Sequence, residues 1–206
     1  MTSLQMRQNP FFLRNMDNCH GLWNIPEIRK ATLPDENVQL ISCSDTRIND
    51  TINTKKGVHF FVDDYRFEAI YRNPEKSWPK YSQYRFLLTP DYSLYAEMPM
   101  WRQIESVGKS RWCGAWWQEH GMTVIPTVSW SNYLSYDFCF DGIMDNSCVA
   151  VGTIGCRKSR SGFMHGYDAM LERINPEAVI CFGTPFQEMR GNIIFIDYQS
   201  SRKGVR

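Results

Sequence analysis

The 47 residues Tyr84 to Trp130, YRFLLTPDYSLYAEMPMWRQIESVGKSRWCGAWWQEHGMTVIPTVSW, decide the fold. Their first five are an apolar, aromatic run that reads as a strand, closed by Thr89-Pro90-Asp91. From Pro99 to His120 apolar residues recur at three and four: Trp101, Ile104, Gly108, Trp112, Ala115 and Trp116 form one stripe of a long helix. Proline suits the first turn of that helix, and Gly121 suits its end. Met122 to Val128 returns as a second strand with Pro126 near its end, so the unit is a parallel β-α-β.

Working outward, Val38–Cys43, Val58–Val62, Cys148–Ile154, Ala178–Phe182 and Asn192–Ile196 are further short apolar runs. Helical stretches at Tyr65–Tyr71 and Phe163–Ile174 lie between them. Strands that are apolar without alternation are buried on both faces, which predicts a mostly parallel α/β sheet. A reduced or partly closed β/α barrel, TIM-like, is expected ahead of an open doubly wound sheet, because no strand is followed by a dinucleotide glycine fingerprint. Residues 1–37 read as an irregular arm anchored by Phe11, Phe12, Leu13, Leu22 and Trp23. Residues 38–198 read as one domain and 199–206 as a loose tail.

Lys and Arg number 23 against 22 Asp and Glu, so no global field drives the chain onto nucleic acid or an anionic membrane. Basic residues do gather at Arg157, Lys158 and Arg160 and again at Arg202, Lys203 and Arg206. No leader-like apolar segment or membrane-length run is present, which predicts a cytoplasmic protein without a membrane partner. The 7 Cys residues form no CxxC, and Cys43, Cys148 and Cys181 sit in apolar runs as small hydrophobes.

In a parallel sheet the ligand site lies beyond the carboxyl ends of the strands. Those ends carry Ser44 and Asp45, Asp63 and Asp64, Asp91, Thr127 with Ser129 and Trp130, Thr153 with Cys156, and Asp197. Asp63, Asp64 and Asp91 are candidate catalytic carboxylates, dividing acid and base roles or holding Mg²⁺. The competing reading is that they cap turns. The loop Gly155–Gly162, with Arg157, Lys158, Ser159, Arg160 and Ser161, joins a strand to a helix and offers cations, hydroxyls and backbone donors to a phosphate or nucleic acid. A solvated basic turn is its equal. Trp130, Tyr133 and Tyr136 supply rings that could stack a base or form a hydrophobic lid. Of the four His, only His165 lies near that loop.

Several stretches in order, VDDYRFE (62–68), TPDYSLY (89–95), WWQEHGMTVIPTVSW (116–130), FCFDGI (138–143), TIGC (153–156) and GYDAMLERINPEAVICFG (166–183), resemble a domain-of-unknown-function family. That family is carried by phages, plasmids and conjugative elements of Gram-positive bacteria. The resemblance covers Val58 to Gly183 and leaves the first ~50 residues outside, as a variable, element-specific arm. It implies a mobile-element accessory role. The expectation is an anti-CRISPR-like counter-defence protein that binds a host immune nuclease, its guide RNA or a nucleotide signal. The alternative is a metal-dependent hydrolase of a nucleotide or RNA using the strand-end carboxylates.

Overall fold

The computed structural model describes residues 2–30, 32–33 and 37–199. The arm begins with two short helices, α1 (Ser3–Arg7) and α2 (Pro10–Leu13), and an antiparallel hairpin of β1 (Cys19–His20) and β2 (Ile25–Pro26). Then come β3 (Leu40–Ser42), β4 (Gly57–His59), α3 (Glu68–Arg72), α4 (Pro74–Tyr81) and β5 (Phe86–Leu88). The chain continues through α5 (Met100–Glu119), β6 (Val124–Ile125), β7 (Val149–Gly152), α6 (Arg160–Ile174), β8 (Val179–Phe182) and β9 (Ile193–Ile196).

Strands β3-β4-β5-β6 form a four-stranded parallel sheet and β7-β8-β9 a three-stranded one, each in chain order. A parallel bridge between Thr127 and Ala150 joins them, with Val128 N–H donating to Ala150 O (2.8 Å) and Ala150 N–H to Pro126 O (2.9 Å). The central strands bury both faces, which is why their sequences show no alternation. Ile41, Val58, Leu87 and Val124 face Trp112, Trp116 and Trp117 of α5. Val149, Val151, Val179 and Cys181 face Phe163, Tyr167 and Met170 of α6. The opposite face gathers Leu40, Phe86, Leu88, Ile125, Ala150, Ile180, Phe182 and Ile196 of six strands into a third, inner core. Gly57 belongs to that inner face: the Phe86 ring lies where its Cβ would stand, 2.1 Å away, so only glycine admits the ring.

The helices differ from their sequence reading in instructive ways. Asn73-Pro74 closes α3, as that pair suggests, but Pro74 at once opens a second helix, α4, that the sequence reading lacks, since the first turn needs no donor there. α5 is buried nearly all round from Ser110 to Gln118, whereas Trp101, expected on its inward stripe, is 65% exposed.

The arm is not held by the residues its sequence suggests. Phe12, Leu13, Leu22 and Trp23 are exposed, and of the five expected anchors only Phe11 packs on the core. The grip comes instead from Ile25 and Ile28, both buried, and from two arginines. The Arg14 guanidinium donates to Tyr71 O (2.6 Å) and lies over the Tyr71 and Trp112 rings at 4.2 and 4.1 Å. Arg29 exchanges hydrogen bonds with Gln118 near the end of α5. The turn read at Pro34-Asp35, the cluster Arg202, Lys203 and Arg206, and the tail beyond Gln199 lie outside the described residues.

Candidate functional site

Three cavities open side by side at the carboxyl ends of the strands. The first, about 360 Å³, is lined by Asp63, Asp91, Ser93, Ser129, Trp130 and Cys156 among others. The second, about 490 Å³, carries Arg157 and Lys158 with Thr184 and Tyr198. The third, about 500 Å³, lies over β3 and β4 and includes Ser42, Asp45 and His59. Phe61, Phe182 and Ile154 line both the first and the third, and Ile154 and Tyr198 both the second and the third. The cavities are therefore compartments of one mouth.

Asp91 follows β5 and sits in the floor of the first compartment. Burial pushes its carboxyl up to about 7, and the charge of Asp64 pushes the same way; a hydrogen bond from Ser129 and the Arg111 guanidinium oppose them without prevailing. Asp64 is fixed by Ser93, whose N–H (3.2 Å) and hydroxyl (3.0 Å) both donate to its carboxylate. Ser93 O in turn accepts from Ser106 of α5 (3.0 Å), so the long helix sets the loop that orients Asp64. The structure thus couples Asp64 with Asp91. Of the neighbouring pair it is Asp63, exposed and 3.8 Å from Arg66, that lines the first compartment with Asp91, while Asp64 lies behind that lining. Among the described residues no group of three metal-ligating side chains forms. Mg²⁺ is commonly held by one or two carboxylates plus substrate phosphates, and Asp63 and Asp91 supply that number.

The strand ends beneath this floor are locked together. Thr89 Oγ1 accepts from Thr127 N–H (2.9 Å) and from the Ser110 hydroxyl (3.0 Å), while the Thr127 hydroxyl donates to Thr89 O (2.8 Å). Cys156, also at the wall, is kept as a thiol by burial and by the Asp91 charge.

Of the cationic loop, Arg157 and Lys158 face the second compartment from a short 3₁₀ turn, Cys156–Ser159, entered through Gly155 at φ 82°. Helix α6 starts at Arg160 rather than Phe163, so Arg160 and Ser161 belong to its first turn and Ser159 to its cap. Arg160 is committed to an ion pair with Glu188. Among the rings, Trp130 lines the first compartment and packs on Phe163, Tyr136 packs on Phe140, and Tyr133 is 74% exposed. His165 is exposed.

Trp130 is seated on α6 at Gly166, where an added Cβ would lie 2.1 Å from the indole nitrogen. Gly166→Ala is expected to displace the indole from the cavity wall and destabilise the fold by roughly 1–3 kcal/mol, the cost of overpacking. Thermal unfolding together with a red-shifted tryptophan emission checks this; an unchanged melting temperature and spectrum would remove Trp130 from its seat.

The sequence does not single out three residues that matter at this site. Ser93 and Arg111 act through contacts distant in the chain, and His59 lies inside the apolar run VHFFV, where a histidine passes for core. The signal for His59 is its register: it shares a strand face with Gly57, the face that lines the inner core.

Fold and site together define a parallel α/β protein with a compartmented pocket at its strand ends, the position where such sheets bind ligands. The chain belongs to the family described as Domain of unknown function (DUF4417), whose model matches residues 17–199. The match takes in the hairpin and much of the arm, which the sequence motifs leave outside. The chain is 42% identical to the Gene 1 protein of Mycobacterium phage L5 over 129 residues, 61% of this chain and 56% of that protein. It is 36% identical to the Gene 1 protein of Mycobacterium phage D29 over 165 residues, 78% of this chain and 60% of that protein. The chain therefore spans a little over half the length of these phage relatives. No solved structure matches it. No described helix is long and apolar enough to cross a membrane.

Proposed function

We propose that the protein is a hydrolase of a nucleotide or RNA, cleaving a phosphodiester or glycosidic bond in the first compartment. The observation that carries this reading is the Asp64–Asp91 pair: two carboxyls on adjacent loops, one set in a cavity floor with its pKa near neutrality, the other oriented by Ser93. Unequal environments are how a site divides acid and base work between like groups. Asp91, protonated, gives its proton to the leaving oxygen or nitrogen; the Asp64 charge helps to keep that proton on Asp91, and Asp63, which lines the compartment, takes a proton from the water that attacks. Arg157 and Lys158 line the adjoining compartment and would hold the ligand's phosphate.

The surrounding architecture is read as a partly closed β/α barrel. Strands in chain order, helices on one face and an inner core built from the other face all favour it. The phage relatives supply the setting for a counter-defence role, in which the ligand is a host nucleotide signal or a guide RNA.

The test is a panel of nucleotides, dinucleotides and short RNAs, with and without Mg²⁺, assayed for product by liquid chromatography. Turnover by the native chain and its loss in Asp91→Asn support the reading. No turnover on the panel, or undiminished turnover in the variant, overturns it. In the latter case a binding role would be sought by salt-dependent capture of RNA, to which Arg157→Ala should be sensitive.

A further inference from the structure

His59 is the most unusual polar residue of the inner core. It stands at the end of β4, 2% exposed, with its ring against Phe182 at 4.4 Å between centroids and against Phe61 at 5.8 Å. Phe61 N–H donates to Nδ1 at 3.3 Å, which leaves the ring proton on Nε2. Burial holds the imidazole down at about 3, so the ring is a neutral donor across the whole working range. Nε2 is fully buried and has no hydrogen-bond partner in the protein. An unpaired buried donor is costly, and such exceptions mark places where a group outside the chain completes the bonding.

His59 lines the third compartment, and the other walls say what that group is. Phe61 and Tyr198 supply apolar ring surfaces, backed by Phe182, which is 1% exposed and stacked on Phe61 at 4.8 Å and 12°. Asp45 supplies an acceptor and Ser42 and Ser44 supply hydroxyls. The one cation among the described lining residues, Arg66, is paired with Asp63 at 3.8 Å, and Asp45 adds a second carboxylate, so the compartment does not favour an anion. It suits a planar, uncharged heterocycle that presents an acceptor next to a donor on one edge, as a nucleobase does. The volume of about 500 Å³ falls in the range of small-molecule pockets.

We infer that the third compartment is a nucleobase subsite, in which a small turn of the buried His59 ring brings Nε2–H to the cavity surface to donate to an acceptor on the base edge, with the aromatic wall against the base. This rests on the hydrolase reading for its neighbouring compartments, and it names the part of the substrate that the protein selects. The base lies over β3 and β4, the phosphate reaches toward Arg157 and Lys158, and the bond to be cleaved lies by Asp91.

The experiment uses the full chain carrying Asp91→Asn, with ¹⁵N-labelled histidine, titrated with the four ribonucleoside monophosphates and, separately, with ribose 5-phosphate. At least one nucleotide is expected to shift the Nε2 resonance of His59, and ribose 5-phosphate to leave it in place. His59→Phe, which keeps a ring against Phe182 and removes the donor, is expected to weaken that nucleotide's binding roughly fivefold to tenfold, the worth of one neutral hydrogen bond. His59→Gln, which restores a donor, is expected to recover part of the loss. If no nucleotide moves the resonance, or ribose 5-phosphate moves it equally, the inference is overturned, whatever the folding of the variants. Turnover decides the hydrolase reading independently: a base response with turnover surviving Asp91→Asn sinks that reading and leaves the subsite standing.

Discussion

Asp91→Asn is expected to yield a protein that, on the hydrolase reading, has lost most of its turnover and is more stable than the native chain at pH 8. Both effects come from one cause. Burial first, and the Asp64 charge second, raise the folded-state pKa of Asp91 from 3.8 to about 7. The folded protein therefore binds this proton more tightly than the unfolded chain does. The stabilising contribution of the protonated carboxyl is complete below about pH 4 and is lost as pH rises toward and through 7. Asparagine imitates the protonated group and does not titrate. The two proteins should match in stability at pH 4, and by pH 8 the variant should lead by roughly 1–4 kcal/mol, the upper end set by about 1.36 kcal/mol for each pH unit that separates the folded and unfolded pKa values. Turnover should fall by about 10²–10⁴-fold through loss of the general acid. On the proposed hydrolase reading, kcat/KM of the native chain should decline about tenfold for each pH unit above 7, as the proton leaves. Urea unfolding at pH 4 and 8 and a pH–rate profile give both answers. Equal stabilities at pH 8 would mean that Asp91 is an ordinary exposed carboxylate.

Arg111→Met is expected to cost about 3–5 kcal/mol of stability, more than Gly166→Ala removes. Arg111 is 2% exposed on α5, and burial lowers it to about 10, still charged at neutral pH. Its guanidinium donates to Thr127 O (2.9 Å), Cys139 O (3.0 Å) and Asp141 O (3.2 Å), tying the long helix to the end of β6 and to the loop before β7. Methionine fills comparable volume and leaves three buried carbonyls without these donors, each costing about 1–3 kcal/mol before relaxation. Arg111→Lys should recover only part, because a single ammonium cannot reproduce the planar fork. The change to Met should also raise Asp91 further, since Arg111 is a positive charge that lowers it. Denaturant unfolding checks the first effect; a loss under about 1 kcal/mol would show that water replaces the guanidinium without cost.

The strands were legible because burial on both faces leaves a run such as Phe86-Leu87-Leu88 with no polar position to blur it. Their ends were legible for the same reason: Thr89-Pro90-Asp91 and Asp63-Asp64 are where polarity resumes, so the two coupled carboxylates stand out in the bare sequence. What could not be read were properties set by partners far along the chain. Asp63 and Asp64 are neighbours of identical chemistry, and only the return of Ser93 selects one of them. Arg111 looks like a solvated helix residue until the loop at 139–141 folds over it. In the arm, Leu22 and Trp23 are as apolar as Ile25 and Ile28, but Gly21 and Asn24, at positive φ, turn the hairpin tip away from the core. Gly162 obscured the true start of α6 by imitating a loop.

The parallel strands are laid down in the order in which they are paired, and among the described residues the Thr127–Ala150 bridge connects the first four to the last three. During synthesis each new strand meets a template that already exists, so assembly can follow the ribosome from one end to the other. The junction divides the labour of the mouth as well. Asp45, His59, Asp64 and Asp91 are delivered by the earlier four strands, Arg157 and Lys158 by the later three. A nascent chain halted before β7 would own Asp45, His59, Asp64 and Asp91 but neither Arg157 nor Lys158, and the mouth is complete only when the second block docks.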